Sequence, residues 1–245
     1  MKLILLGTSG YHPSDRRHTP CMVIPSCGIV LDAGTGMYRL GSYLQTDELD
    51  IFLTHAHLDH VIGLTYLFSV TWEHPLSRVT IHGLPEKLYA IENHLFYHDL
   101  SAKPTFELQS LAEVTMLSHG GRLTHFPLDH PGGALGFRLD WPGHSMAYVT
   151  DTTAAANADY VEKIRGVNLL IHECFYPDGH ADLAAKYGHS CITPVAEVAK
   201  AAKVGRLILT HINPLAPVDH PLDISAAQKI FPHTEIGEDL MEVEF

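Results

Sequence analysis

The densest chemistry in the chain lies in Thr54-His55-Ala56-His57-Leu58-Asp59-His60, which follows directly on the apolar run Ile51-Phe52-Leu53. Three histidines and a carboxylate stand together where a strand should run out into a loop. Side chains two apart on extended backbone point the same way, so His55 and His57 can grip one cation together. Asp59 and His60 fall on the following turn and can reach a second cation. Neutral imidazole and carboxylate are the donors that borderline divalent metals such as zinc prefer. A chain with 19 histidines could simply carry a histidine-rich surface loop, but the spacing and the position after a strand argue for ligands.

Three more candidates follow in order: His130 after Leu128-Asp129, Asp151 after Ala147-Tyr148-Val149-Thr150, and His211 after Leu207-Ile208-Leu209-Thr210. Each ends a short apolar run, the place where ligands on an α/β scaffold belong. Singly, each has a plainer explanation: a loop histidine, a helix N-cap at Asp151, a turn at His211-Ile212-Asn213-Pro214. As an ordered set, these residues resemble the metallo-β-lactamase superfamily, whose signature is His-x-His-x-Asp-His, along nearly the whole chain. The resemblance implies an α+β fold, the four-layer αβ/βα sandwich, as a single domain over residues 1–245. It implies one metal on His55, His57 and His130, a second on Asp59, His60 and His211, and Asp151 bridging them through its two oxygens. The two divalent ions would be zinc foremost, with manganese or iron accepted by the same donors. Metals in such pairs sit about 3.5–4 Å apart and bring the pKa of a bridging water toward ~7. Asp59 would also orient that water by accepting its hydrogen bond.

Two further motifs narrow the branch. His172-Glu173-Cys174-Phe175 follows the apolar run 167–171, and Gly188-His189-Ser190 precedes Thr193. They are similar to the His-Glu-Ala-Thr and His-Ser-Thr motifs of ribonuclease Z and its phosphodiesterase relatives. The resemblance makes His189 the proton donor to the leaving alkoxide and Glu173 its partner. Such a pairing makes physical sense, because a carboxylate raises the imidazole pKa and fixes its orientation. Near the amino end, Leu6-Gly7-Thr8-Ser9-Gly10 with Arg17-His18-Thr19, and Asp32-Ala33-Gly34-Thr35-Gly36, resemble the glycine-rich turns of the same group. Glycines there would let backbone approach the site closely, and Gly132-Gly133 would serve a similar steric purpose.

The resemblance breaks at one place. Ribonuclease Z carries a long arm for transfer RNA between its third-motif His and its bridging Asp. Here only twenty residues separate His130 from Asp151, filled by two strand-like runs and the turn Trp141-Pro142-Gly143-His144. The space for a substrate-shaping insertion is instead Trp72–Leu117. Its aromatics (Trp72, Tyr89, Phe96, Tyr97, Phe106) could stack on a base, with core packing the role expected of most of them. The substrate expected is a small anionic molecule, a nucleotide or sugar phosphodiester, cyclic or open. Lactonases and thioesterases of the superfamily share the seven ligands, but lack the Glu173–His189 pair or add a basic tail where residues 235–245 are acidic. A regulatory metal-binding member without catalysis is the remaining alternative, and a complete ligand set argues against it.

Composition sets outer bounds. Hydrophobic residues at 46% and charged residues at 18% describe an ordinary globular protein large enough for a full core. The net charge of −12 repels nucleic-acid backbones, whose binding relies on clustered Lys and Arg. Long nucleic acid is therefore not an expected partner, whereas bound metals would offset the charge locally for a small anion. No membrane span or signal peptide is expected, and four cysteines without C-x-x-C spacing suggest reduced thiols of a cytoplasmic protein. A homodimer is the assembly that the resemblance allows.

The elements that must position these residues are short. Strands are expected at Leu3–Leu6, Met22–Ile24, Ile29–Asp32, Ile51–Thr54, Val79–His82, Leu123–Leu128, Leu135–Asp140, Ser145–Thr150, Leu169–Glu173 and Arg206–Thr210. Helices are expected at Met37–Leu44, Asp59–Phe68, Pro85–Tyr97, Asp159–Arg165, Thr193–Ala202 and Ile224–Ile230, with Thr193 as N-cap before Pro194.

Overall fold

The computed structural model describes residues 1–96, 104–217 and 222–245. The chain forms two compact units, one of Met1–Glu113 with Glu238–Glu244 and one of Val114–Gly237 with Phe245. Each unit is built on a seven-stranded mixed sheet.

In the first unit the strands are β1 (Lys2–Gly7), β2 (Cys21–Ile24), β3 (Ile29–Ala33), β4 (Glu48–Phe52), β5 (Arg78–Gly83) and β6 (Glu107–Ser110), with the final strand β14 (Glu242–Glu244) at the other edge. Their order is β14-β1-β2-β3-β4-β5-β6. The β14–β1–β2–β3 pairs are antiparallel and the β3–β4–β5–β6 pairs parallel. The central strands read as unbroken apolar runs because both of their faces are buried. One face of the sheet, with Ile4, Leu6, Val23, Val30, Leu49, Ile51 and Ile81, packs on Met37, Leu40, Val61, Leu64, Leu67 and Leu88 of the helical segments.

The second unit orders β7 (Val114–Leu117), β8 (Gly121–Leu128), β9 (Ala134–Trp141), β10 (His144–Val149), β11 (Leu169–Glu173), β12 (Arg206–Thr210) and β13 (Thr234–Ile236) consecutively. The pairs from β7 to β10 are antiparallel, those from β10 to β13 parallel. Its main helix, Ile192–Ala202, buries Val195, Ala196, Val198, Ala199 and Ala202 against Ala147, Val149, Leu170, Leu207 and Leu209. Small residues on that stripe let helix and sheet approach closely.

All ten expected strands form, with ends shifted by at most three residues; the largest shift is at β4, expected from Ile51 and beginning at Glu48. The helices are more broken than their periodicity suggests. Met37–Leu44 becomes a 3-10 helix over Thr35–Tyr43, and Asp59–Phe68 divides into α-helical Leu58–Val61, 3-10 Ile62–Tyr66 and α-helical Leu67–Val70. Pro85–Ala90 is α-helical and passes into a single π turn, Ile91–Leu95; Tyr97, the expected end, lies outside the described residues. Asp159–Arg165 contracts to Tyr160–Lys163 and Ile224–Ile230 to Ser225–Ile230. Thr193 is not an N-cap. The helix starts at Ile192, and Asp178 accepts hydrogen bonds from both the Thr193 backbone N–H (3.0 Å) and its hydroxyl (2.7 Å).

The acidic C-terminal segment has a structural task in the first unit. Asp239 accepts from Thr8 (backbone N–H 3.0 Å, hydroxyl 2.7 Å) and from the His18 backbone N–H (2.7 Å), and it pairs with Arg39 (2.5 Å). Glu238 pairs with Arg17 at 2.7 Å, and Arg17 donates to the Thr8 hydroxyl at 2.6 Å. Burial pushes the Arg17 guanidinium down from its ordinary value, and Glu238 and Asp239 offset that cost. All four cysteines are buried. Among the described residues no helix is long and apolar enough to cross a membrane.

Candidate metal centre and active site

In the first unit the motif begins at Thr54, two residues after β4 ends at Phe52, past the carboxyl end of the parallel strands. His55 and His57 each offer a donor atom within 4.8 Å of the other, and so do Asp59 and His60. Their ring orientations are fixed from behind. The buried Asp32 at the end of β3 takes His60 Nδ1 at 2.7 Å and also accepts from the Thr54 backbone N–H (2.8 Å) and hydroxyl (2.9 Å). The Thr54 hydroxyl lies 3.1 Å from His55 Nδ1. With Nδ1 of His60 engaged on a carboxylate, Nε2 is the nitrogen left to bind metal. Asp32 holds this position in the left-handed region (φ 55°), a cost of order 1–3 kcal/mol that functional sites tolerate.

Asp59 is anchored too. The Tyr11 backbone N–H donates to its Oδ2 at 2.9 Å, and Tyr11 is itself left-handed (φ 63°). Close approach explains Gly34 in the turn after β3: a Cβ there would stand 2.1 Å from the Asp59 carbonyl oxygen. Gly132 and Gly133 differ from expectation. A Cβ at either would meet nothing within 4 Å among the described residues, and their φ values of 82° and 79° are what demand glycine.

In the second unit His130 follows β8, Asp151 follows β10 and His211 follows β12. Asp151 is buried and directs its two oxygens at different histidines: Oδ2 lies 3.6 Å from His130 Nε2, and Oδ1 lies 3.3 Å from His211 Nε2. The Thr150 hydroxyl donates to Oδ1 at 2.9 Å. His130 Nδ1 is tied to the Gly188 carbonyl (2.9 Å), which again directs Nε2 inward. Burial pushes the His130 imidazole below its ordinary pKa, with Asp151 opposing; the neutral form is the one that binds metal. The His60 and His130 imidazoles, each with Nδ1 occupied and Nε2 left beside a carboxylate, fit divalent metal.

Behind Asp151, donor atoms of His189 and His211 also lie within 4.8 Å of it and of each other. The His189 ring stacks on Phe175 (centroids 4.9 Å) and on His211 (5.3 Å), and those two rings lie 5.8 Å from each other, so the three cluster as a triangle. Its Nδ1 is 3.7 Å from Glu173 Oε2, ion-pair range rather than hydrogen-bond range. Oε2 also accepts the Phe175 backbone N–H at 3.1 Å. Burial pushes the Glu173 carboxyl well above the usual carboxylate range, with His211 opposing and Asp151 reinforcing. His172 of the same motif is structural. It bridges the Tyr160 hydroxyl (3.0 Å) and the Glu173 carbonyl (2.7 Å), and burial lowers its pKa to about 4.

The seven expected ligands thus gather as His55, His57, Asp59 and His60 in one unit and His130, Asp151 and His211 in the other, with Glu173 and His189 beside the latter. Two supports escape a sequence reading. Asp32 works through His60, 28 residues later, and the sole hint was a carboxylate closing a buried strand before Gly34. Tyr11 acts through its backbone, which leaves no side-chain signature. Among the insertion aromatics, Phe96 is buried as expected and packs on Phe106 (5.1 Å), but Trp72 and Tyr89 are 68% and 65% exposed and are not core residues.

Asp32→Ala should be costly without touching a ligand. It strips the acceptor from the buried His60 Nδ1–H and Thr54 N–H, at roughly 1–3 kcal/mol each. The freed His60 ring should lower metal affinity about 10–100-fold. Denaturant titration and metal titration together check this; unchanged metal affinity would remove Asp32 from the account.

Comparison with known proteins agrees with this architecture. A family model described as the beta-lactamase superfamily domain matches residues 28–212. The chain is 28% identical to Ribonuclease Z of Bradyrhizobium diazoefficiens, covering 97% of each chain. That alignment spans 298 positions against 245 residues here, so the relative carries segments that this chain lacks. Within this chain, β9 and β10 fill the interval between His130 and Asp151 as a tight hairpin, with no arm. Among solved structures, the metallo-beta-lactamase fold protein YhfI from Bacillus subtilis superposes with a TM-score of 0.82 at 19% identity, covering 99% of each chain. The human short-form tRNase Z superposes with a TM-score of 0.76 at 23% identity, over 100% of this chain and 99% of that one. These likenesses show the α+β metallo-β-lactamase fold expected from the sequence, one that implies divalent metal binding. The chain belongs to the beta-lactamase superfamily, as a ribonuclease Z-like, metal-dependent hydrolase without the long arm.

Proposed function

We propose that the protein hydrolyses the phosphodiester bond of a small anionic substrate, a nucleotide or sugar phosphate. The carrying observation is Asp151, whose two oxygens face His130 and His211 separately, as a carboxylate shared between two metals must. His55, His57 and His130 would hold one ion, Asp59, His60 and His211 the other, with zinc preferred for this imidazole–carboxylate set and manganese or iron accepted. When bound, such a pair supplies Lewis acidity and an activated water.

The chain's own residues do the rest. Asp59, its rotation fixed by the Tyr11 N–H, accepts the hydrogen bond of the attacking water and orients it toward phosphorus. His189 stands on the Glu173 side of Asp151 and gives a proton to the departing alkoxide oxygen as the P–O bond breaks. Phe175 and His211 hold the His189 ring by stacking, so its orientation does not depend on Glu173 alone.

Substrate size follows from charge and from the hairpin. A net charge of −12 and a tight β9–β10 turn where an RNA clamp would stand support a small substrate and no long nucleic acid or membrane partner. A homodimer and a cytoplasmic setting complete the proposal. Incubating the zinc-loaded protein with a 2′,3′-cyclic nucleotide and with precursor transfer RNA tests it. Cyclic ester opening without 3′ trimming is expected; efficient trimming would overturn the small-substrate proposal.

A further inference from the structure

Beside the metal motif lies a cavity of about 580 Å³, built wholly from the first unit: Ala56, Leu58, Val61, Ile62 and Thr65 on one wall, and Ala90, Ile91, His94 and Leu95 on the other. Its volume is within the range of small-molecule sites. Ala56 and Leu58 are the residues interleaved with the ligands His55, His57 and Asp59, so the cavity begins where the metal grip ends. Leu58 is 66% exposed although it stands at the base of a buried motif, and core packing does not account for it. The facing wall is carried by the π turn Ile91–Leu95, a rare conformation that recurs at functional sites. Among the described residues no Lys, Arg, Asp or Glu lines the cavity, and His94 is the one ionisable group on its wall.

The geometry points to a specificity pocket for one ester arm of the substrate, an uncharged ring-bearing alcohol, with the charged phosphoryl group left to the metal centre. The inference rests on the phosphodiesterase proposal and specifies what that substrate carries. A bare phosphodiester has no use for an apolar cavity of this size next to the reacting atoms. A second charged group would be desolvated there without a partner. An aromatic ring gains from Leu58, Ile62, Ile91 and Leu95, and His94 can meet its edge with one hydrogen bond. The pocket therefore selects among phosphodiesters by the size and polarity of the esterified group rather than by charge.

Diphenyl phosphate and dimethyl phosphate share the charged group and differ in their rings, which makes them the probes. Their affinities for the zinc-loaded protein are measured by titration, with methyl NMR of Leu58, Ile62, Ile91 and Leu95 as a position-specific readout. Diphenyl phosphate should bind at least tenfold more tightly and shift these methyl signals. Ala90→Trp, which fills the cavity from the wall away from the ligands, should reduce the preference to about twofold or less. Ile62→Ser, which makes the opposite wall polar without adding bulk, should weaken it several-fold and serves if the tryptophan is not tolerated. Equal affinity for the two esters, or an undiminished preference in both variants, would overturn the pocket. Phosphodiester turnover with no ring preference would remove the pocket alone. Ring preference in a protein that turns over no phosphodiester would remove the function and keep the pocket.

Discussion

Asp151→Ala is expected to lose metal and activity together, with kcat/KM falling about a thousandfold or more. The side chain is buried and placed 3.3 Å from His211 Nε2 and 3.6 Å from His130 Nε2. Without that anion, the surrounding imidazoles and Asp59 would have to hold two dications close together against their mutual repulsion. Metal-pair catalysis is worth several kcal/mol, and each 1.36 kcal/mol is a factor of ten, so about three to four decades should disappear. Asp151→Asn is the sharper test, because it keeps the shape and the Thr150 hydrogen bond. It should bind fewer metal equivalents than the wild type by elemental analysis while its unfolding remains cooperative. A fully metallated, active Asp151→Ala protein would refute the bridging role.

His189→Ala is expected to separate chemistry from metal content. General acid catalysis contributes typically 10²–10⁴-fold, and its value depends on the leaving group. An alkoxide leaves badly unless protonated, so opening of a cyclic nucleotide should slow by that range. p-Nitrophenolate leaves without help, so bis(p-nitrophenyl) phosphate should slow far less. Metal content should stay at the wild-type level. The alternative has a structural basis, since His189 offers a donor atom within 4.8 Å of Asp151 and His211. If it were a ligand, its loss would lower metal content and slow both substrates equally. Glu173→Gln should resemble His189→Ala in this leaving-group pattern, because it removes the carboxylate placed 3.7 Å from His189 Nδ1.

The clustering of these histidines and carboxylates was legible in the sequence because His55, His130, Asp151 and His211 each follow an apolar run that becomes a strand. His55, Asp151 and His211 are positioned by the same β-pattern that reveals them. What escaped notice lacks that pattern. β6 and β7 are edge strands whose residues are mostly exposed or half-buried, so no apolar alternation marks them. β13 and β14 are three residues each and take their pairing from neighbours far along the chain. The helix Ala181–Tyr187 buries a single alanine and carries no amphipathic stripe. Asp32, Tyr11 and Asp239 act across the fold through individual hydrogen bonds, and local spacing holds no record of such contacts. The Thr193 cap failed for a related reason: Asp178, fifteen residues earlier, competes for the same hydroxyl and amide.

The central claim is that two metals on these seven residues make a phosphodiesterase. Its most direct test is zinc titration of metal-free protein while bis(p-nitrophenyl) phosphate hydrolysis and bound zinc are followed in the same sample. The account predicts no turnover at the start and a rise that levels off at two zinc ions per chain, reversed by chelation. Full activity at one zinc per chain, or rapid lactone or thioester cleavage with no phosphodiester hydrolysis at two, would contradict it.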